Sequence, residues 1–178
     1  SAWGMSLAHA GIAVLTAGAV GASNWQTENI QVMQVGEAAS VAGYDFTFVS
    51  LDNLQGPNYD RRVGEFRVEQ DGELFATLYP EKRKYWVQGT DTTEAAIHTT
   101  WLADIYVAIG DPAPGGGVAV RIYHNPLVPW IWLGTLIMVI GGLVSLSDRR
   151  HRIGAPNRAR RARRAGEPAQ PNESKGAT

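Results

Sequence analysis

The sequence predicts a membrane protein of mixed α and β class: two transmembrane helices flanking a small all-β domain, barrel- or sandwich-like, followed by a disordered basic tail. Three observations predict it. Two uncharged apolar runs are long enough to cross a bilayer, which takes about 20 residues. The stretch between them alternates apolar and polar residues with the period of two that a half-buried strand requires. Charge is lopsided: residues 24–125 hold 14 acids and 7 bases, net −7, whereas residues 147–178 hold 3 acids and 9 bases, net +6.

The first run, residues 4–23, is bracketed by Trp3 and Trp25. The second, residues 127–146, carries Trp130 and Trp132 near its start. Indole rings favour the headgroup level, so these tryptophans mark interface belts. A pair of such runs with aromatic flanks is hard to bury in a domain this small, so membrane helices are the better reading than core helices of a soluble protein. The opening run lacks a basic flank and exceeds a typical signal h-region, so it is not read as a signal peptide; Ser1 in place of an initiator Met points to a piece of a longer polypeptide, cut or split upstream.

The segment "DRRHRIGAPNRARRARRAG" follows the second run directly. Lys and Arg beside a span favour the cytoplasmic side, which places the tail in the cytoplasm and the acidic middle in the periplasm of a Gram-negative inner membrane. The tail has no hydrophobic period and reads as disordered. Its arginines could touch anionic lipid headgroups or RNA, but a topology determinant is the better reading; membrane lipids are expected as partners and nucleic acid is not.

Residues 24–125 read as the β domain. "YDFTFVSL" sets Tyr44, Phe46 and Phe48 on one face. "GEFRVEQDGELFATLYP" sets Phe66 and Val68 before an Asp71-Gly72 turn and Leu74, Ala76 and Leu78 after it, a strong hairpin signal. "LADIYVAIG" and "GVAVRIYHN" pair around "DPAPGG", and "ENIQVMQV" adds a strand near the start. About seven short strands are expected. "GPNYDRR" reads as a Gly-Pro loop. "PEKRKYW" sets Lys82, Arg83 and Lys84 beside Tyr85 and Trp86, a solvated strand end in preference to a carboxylate or propionate receptor. No phosphate loop, nucleophile elbow or zinc-protease motif occurs. His98 reads as a strand-surface residue, and His124 as opening the turn into the second helix at the interface. Having no cysteine, the chain makes no disulfide and no thiolate metal site.

His9 is the informative residue. A polar side chain in hydrocarbon is costly and faces other protein. Ala13, Ala17 and Gly21 form a small-xxx-small row beside it, with Gly11 and Gly18 on a second thin face. Such faces admit a neighbouring helix or a flat cofactor. An imidazole offers one nitrogen to a metal while the other donates a hydrogen bond. Haem iron suits a lone histidine because the porphyrin supplies four further ligands; zinc or copper needs more protein ligands than the chain offers. The second run contributes only Met138 as a possible ligand. Spacing alone favours a histidine hydrogen-bonded to a neighbouring helix over a haem ligand.

The segments "GMSLAHAGIAV", "GPNYDRR", "LYPEKRKYW", "TEAAI" and "NPLVPWIWLGTLIMVIGGLVSLSDRR" follow one another in this order. In that order and layout they resemble the C-terminal end of the CcmF family, the haem lyase subunit of the cytochrome c maturation system, from about Gly4 to Arg150. The resemblance implies that His9, in the family's "LAHxG" motif, is one axial ligand of a membrane haem b whose second histidine lies in upstream sequence. It implies a role in attaching haem covalently to the CXXCH cysteines of apocytochrome c, with haem arriving on the chaperone CcmE and apocytochrome presented with CcmH. The family's tryptophan-rich external segment is not in this chain, and neither His98 nor His124 lies in a family motif. The resemblance therefore implies one part of a lyase, working with the remaining N-terminal part or a split subunit and inactive alone. The alternative is a non-catalytic, membrane-anchored periplasmic interaction module of an assembly complex. A channel or transporter fragment would need charged or broken helices, and neither run has them.

Overall fold

The computed structural model describes residues 2–147; the expected basic tail lies outside the described residues apart from Ser147. Helix α1 spans Ala2–Asn24 and α2 spans Val128–Ser147. Between them run ten strands: β1 (Thr27–Met33), β2 (Ala38–Val41), β3 (Tyr44–Gln55), β4 (Tyr59–Gln70), β5 (Glu73–Leu78), β6 (Glu81–Tyr85), β7 (Asp91–Glu94), β8 (Ala96–Thr99), β9 (Ala103–Pro112) and β10 (Val118–Pro126). All pair antiparallel in two sheets, one ordered β1-β10-β9-β8, the other β2-β3-β4-β6-β7 with β5 also on β4.

The sheets close face to face as a sandwich. Phe46, Phe48 and Phe66 of one sheet are fully buried against Ile105, Val120 and Ile122 of the other, and the Phe48 and Phe66 rings stack with centroids 4.7 Å apart. The alternation read in "YDFTFVSL" thus supplies the core. The hairpin at Asp71-Gly72 forms with both residues at positive φ, 53° and 81°, as a two-residue primed turn demands.

Three expectations change. The strand count is ten rather than about seven, because the short β2, β7 and β8 carry too few apolar residues to show a period. Leu74 does not face the core: a register shift between Val68 and Glu69 turns it outward, 63 % exposed, and Leu78 and part of Phe75 and Ala76 cover the sheet instead. Finally, "GPNYDRR" is a loop only as far as Asn58; Tyr59–Arg62 already belong to β4 and pair with Lys82–Tyr85 of β6.

The helices pack antiparallel through glycine. A Cβ on Gly11 would meet the Met138 nitrogen at 2.7 Å and the Gly134 carbonyl at 2.8 Å; one on Gly141 would meet the Ala8 nitrogen at 2.5 Å. Gly4, Gly11 and Gly18 recur every seven residues on α1, as Gly134 and Gly141 do on α2. This lets the two backbones touch, the usual device where helices associate without a hydrophobic driving force. The helices enter the sandwich through very short connections, Trp25-Gln26 and Leu127. Gln26 donates to Asn125 at 2.7 Å, and β1 pairs with β10 from Thr27 and His124 onward. Leu127 alone joins β10 to α2, at φ 61°, its side chain against Gly21.

Candidate functional site: the outer face of α1

His9 lies on the face of α1 turned away from α2 and is exposed. Its Nδ1 lies 2.8 Å from the Met5 carbonyl oxygen, one helical turn back. A carbonyl only accepts, so Nδ1 carries the proton and Nε2 is left with its lone pair. That hydrogen bond orients the ring, as partners of metal-ligating histidines do.

Ala13 and Ala17 continue the His9 row at four-residue intervals, and both are exposed. The small row thus divides. Gly21 at its end is buried under Leu127, while Ala13 and Ala17 stay open beside the imidazole. The face that holds α2 is the glycine face, whose seven-residue spacing is the stronger signal. Met138 packs against Gly11 inside the helix pair, so it is not a companion ligand to His9. Among the described residues no group of three or more His, Asp or Glu side chains is placed to hold a metal ion. The exposed imidazole could serve a haem iron as one ligand; Ala13 and Ala17 beside it are small, and Met5 and Ile12 flank it as larger exposed side chains.

The sandwich histidines are engaged in packing. His98 meets the Phe75 ring edge-on, with centroids 5.1 Å apart. His124 lies 5.9 Å from the Tyr44 ring, and burial lowers its pKa.

The cations of "GPNYDRR" and "PEKRKYW" come together at the end of the sandwich far from the helices, lining an open cleft of about 570 Å³ with Asn53, Asp60 and Asp111. Carboxylates already engage most of them. Glu81 bridges Arg61 at 3.0 Å and Arg83 at 2.9 Å, and Lys82 pairs with Asp111, holding that carboxyl below the usual carboxylate range. Arg83 also lies over the Tyr59 ring, 5.0 Å from its centroid. This is a tied-down ribbon end, with its charge neutralised from within.

Residues 24–126 match the family described as the CcmF C-terminal beta-sandwich. The chain belongs to the CcmF family. Among curated CcmF-family relatives it is 46 % identical over 164 residues to the cytochrome c-type biogenesis protein CycK of Bradyrhizobium diazoefficiens, covering 92 % of this chain and 25 % of that one. It is 43 % identical over 162 residues to CcmF of Pseudomonas aeruginosa (91 % and 25 %), and 40 % identical over 152 residues to CcmF of Escherichia coli (85 % and 24 %). A solved cytochrome c heme lyase CcmF shares the fold at TM-score 0.65 and 18 % identity, over 79 % of this chain and 23 % of that structure. The chain thus spans about a quarter of the length of the CcmF relatives it matches.

Proposed function

We propose that this chain is the C-terminal part of a CcmF-type protein that serves cytochrome c biogenesis, and that it supplies one axial ligand, His9, to a haem b held in the membrane. The observation that carries this reading is the imidazole itself: its Nδ1 is held by the Met5 carbonyl, and it is exposed on the face of α1 turned from α2, with Ala13 and Ala17 after it in the same row. Bound there, haem supplies an iron that takes up and gives back one electron. His9 would hold the iron through Nε2, and the Met5 carbonyl would keep the imidazole ring from turning. Ala13 and Ala17 would leave room for the group beside the helix, and the glycine-packed α2 would hold α1 in place. The second ligand comes from outside this chain.

The two helices cross the inner membrane in this reading, with residues 24–125 periplasmic and the basic tail cytoplasmic. The wider assignment follows the family: haem delivered by CcmE is joined to apocytochrome c presented with CcmH, and this chain works with the rest of its own polypeptide or a split partner.

The test is the visible spectrum of the intact membrane protein. A b-type Soret band is expected, and His9→Ala weakens or removes it while His124→Ala leaves it unchanged. An unaltered spectrum in His9→Ala overturns the ligand role. A protein that purifies folded, carries no haem and still captures a periplasmic partner through its sandwich supports the interaction-module alternative.

A further inference from the structure

The turn between β8 and β9 is built for a surrounding other than water. Its tip is Trp101-Leu102, 83 % and 64 % exposed. An aqueous hairpin tip ordinarily carries polar residues and leaves its backbone groups to solvent. Here protein groups take them up. The Thr100 hydroxyl accepts from the Leu102 and Ala103 amides at 3.3 and 3.0 Å. The Trp101 carbonyl accepts from the Trp130 indole nitrogen at 3.1 Å, and the Leu102 carbonyl accepts from the Leu127 amide at 2.6 Å. Apolar side chains outward and backbone polarity satisfied inward is the pattern required where water is scarce.

The same hydrogen bonds fix the tip's height. Leu127 leads into α2 and Trp130 lies in its first turn, and Leu127 rests on Gly21, one turn before α1 ends and Trp25 follows. Trp101 and Leu102 are therefore held at the start of α2 beside Trp130, at the sandwich end of the helix pair, where Trp25 follows α1. Trp132, 71 % exposed, lies just inside that end.

We propose that Trp101 and Leu102 insert into the headgroup–acyl boundary of the bilayer, giving the sandwich a third membrane contact beside its two helices. The inference rests on the reading of α1 and α2 as membrane spans. The occupant is lipid, because the tip continues the apolar surface of α2 at the level of an indole belt, and Thr99 and Thr100 beside it add no charge.

The chain has no cysteine, so single thiols report cleanly once any cysteine elsewhere in the intact protein is replaced by serine. Leu102→Cys, Leu136→Cys on the exposed side of α2, and Asn58→Cys on the far turn of the sandwich would each carry a bimane label in phosphatidylcholine nanodiscs. Quenching is read with lipids brominated near the headgroup end of the chain and with aqueous iodide. Bromolipid is expected to quench the labels at 102 and 136, and iodide alone the label at 58. A label at 102 that iodide quenches and bromolipid does not, with 136 still quenched by bromolipid, overturns the inference and leaves the spans intact. A label at 102 shielded from both quenchers also overturns it, by showing that protein covers the tip. A label at 136 open to iodide overturns the membrane reading itself. Trp101→Cys repeats the measurement if Leu102→Cys does not accumulate.

Discussion

Helix α1 carries two faces made of small residues, and they do different work. On one, Gly4, Gly11 and Gly18 recur every seven residues and are buried against α2. On the other, His9, Ala13 and Ala17 recur every four and are exposed. Composition alone does not separate them; spacing and the missing Cβ do. The glycine face has given up side chains so that backbone meets backbone. The alanine face keeps its Cβ atoms, stays open, and has an imidazole at one end.

The largest expected effect breaks the first face. Gly141→Leu drives a side chain into the Ala8 backbone, and the helix pair cannot absorb it. A loss of about 3 kcal/mol is expected, the upper part of the overpacking range; it would be read as a lowered thermal midpoint and reduced membrane accumulation. Ala13→Leu tests the second face. It meets no part of the sandwich or α2, so the thermal midpoint of haem-free protein should hold while the b-type Soret absorbance falls at least several-fold. A midpoint that drops as far as in Gly141→Leu would show that the faces are not distinct. A smaller effect comes from Gly142, next to Gly141, whose added Cβ meets nothing within 4 Å. Gly142→Ala should be neutral or stabilise by about 1 kcal/mol through helix propensity, and a destabilised variant would reveal a partner helix on that side.

The smallest effect is a pH dependence that belongs to the sandwich. Burial lowers the His124 pKa from 6.5, so the folded chain resists a proton that the unfolded chain accepts. Stability contributed by neutral His124 is full above about pH 6.5 and declines as pH falls from there toward the lower folded value. His124→Gln should flatten this slope in thermal unfolding between about pH 7.5 and 5.5. The α1 variants are therefore best compared above that window.

Much of the architecture is legible in the sequence because it rests on strong periodicities. The apolar runs, the Phe46/Phe48 alternation and the Asp71-Gly72 hairpin each carry a local physical signature. What escapes is non-local. The bulge that turns Leu74 outward depends on how β5 registers with β4. "GPNYDRR" joins a strand because "EKRKY" pairs with it across about 20 residues. The His9 row is visible as small spacing, yet which small face meets α2 follows only from the glycines of the second helix. Trp101 and Leu102 look like stray apolar residues until α2 supplies the hydrogen bonds that explain them.

Leu127 has a mechanical consequence. One residue at positive φ, clamped by Leu102 and Gly21, is all that separates β10 from α2. With Leu127 on one side and Trp25-Gln26 on the other as the only chain connections, a tilt of the helix pair carries the sandwich with it. The nine residues of β10 extend about 30 Å from the helices at roughly 3.3 Å each. Tipping α1 and α2 by about 10° therefore sweeps the charged far end through roughly 5 Å. Whatever fixes the tilt of α1 also aims the opposite end of the molecule.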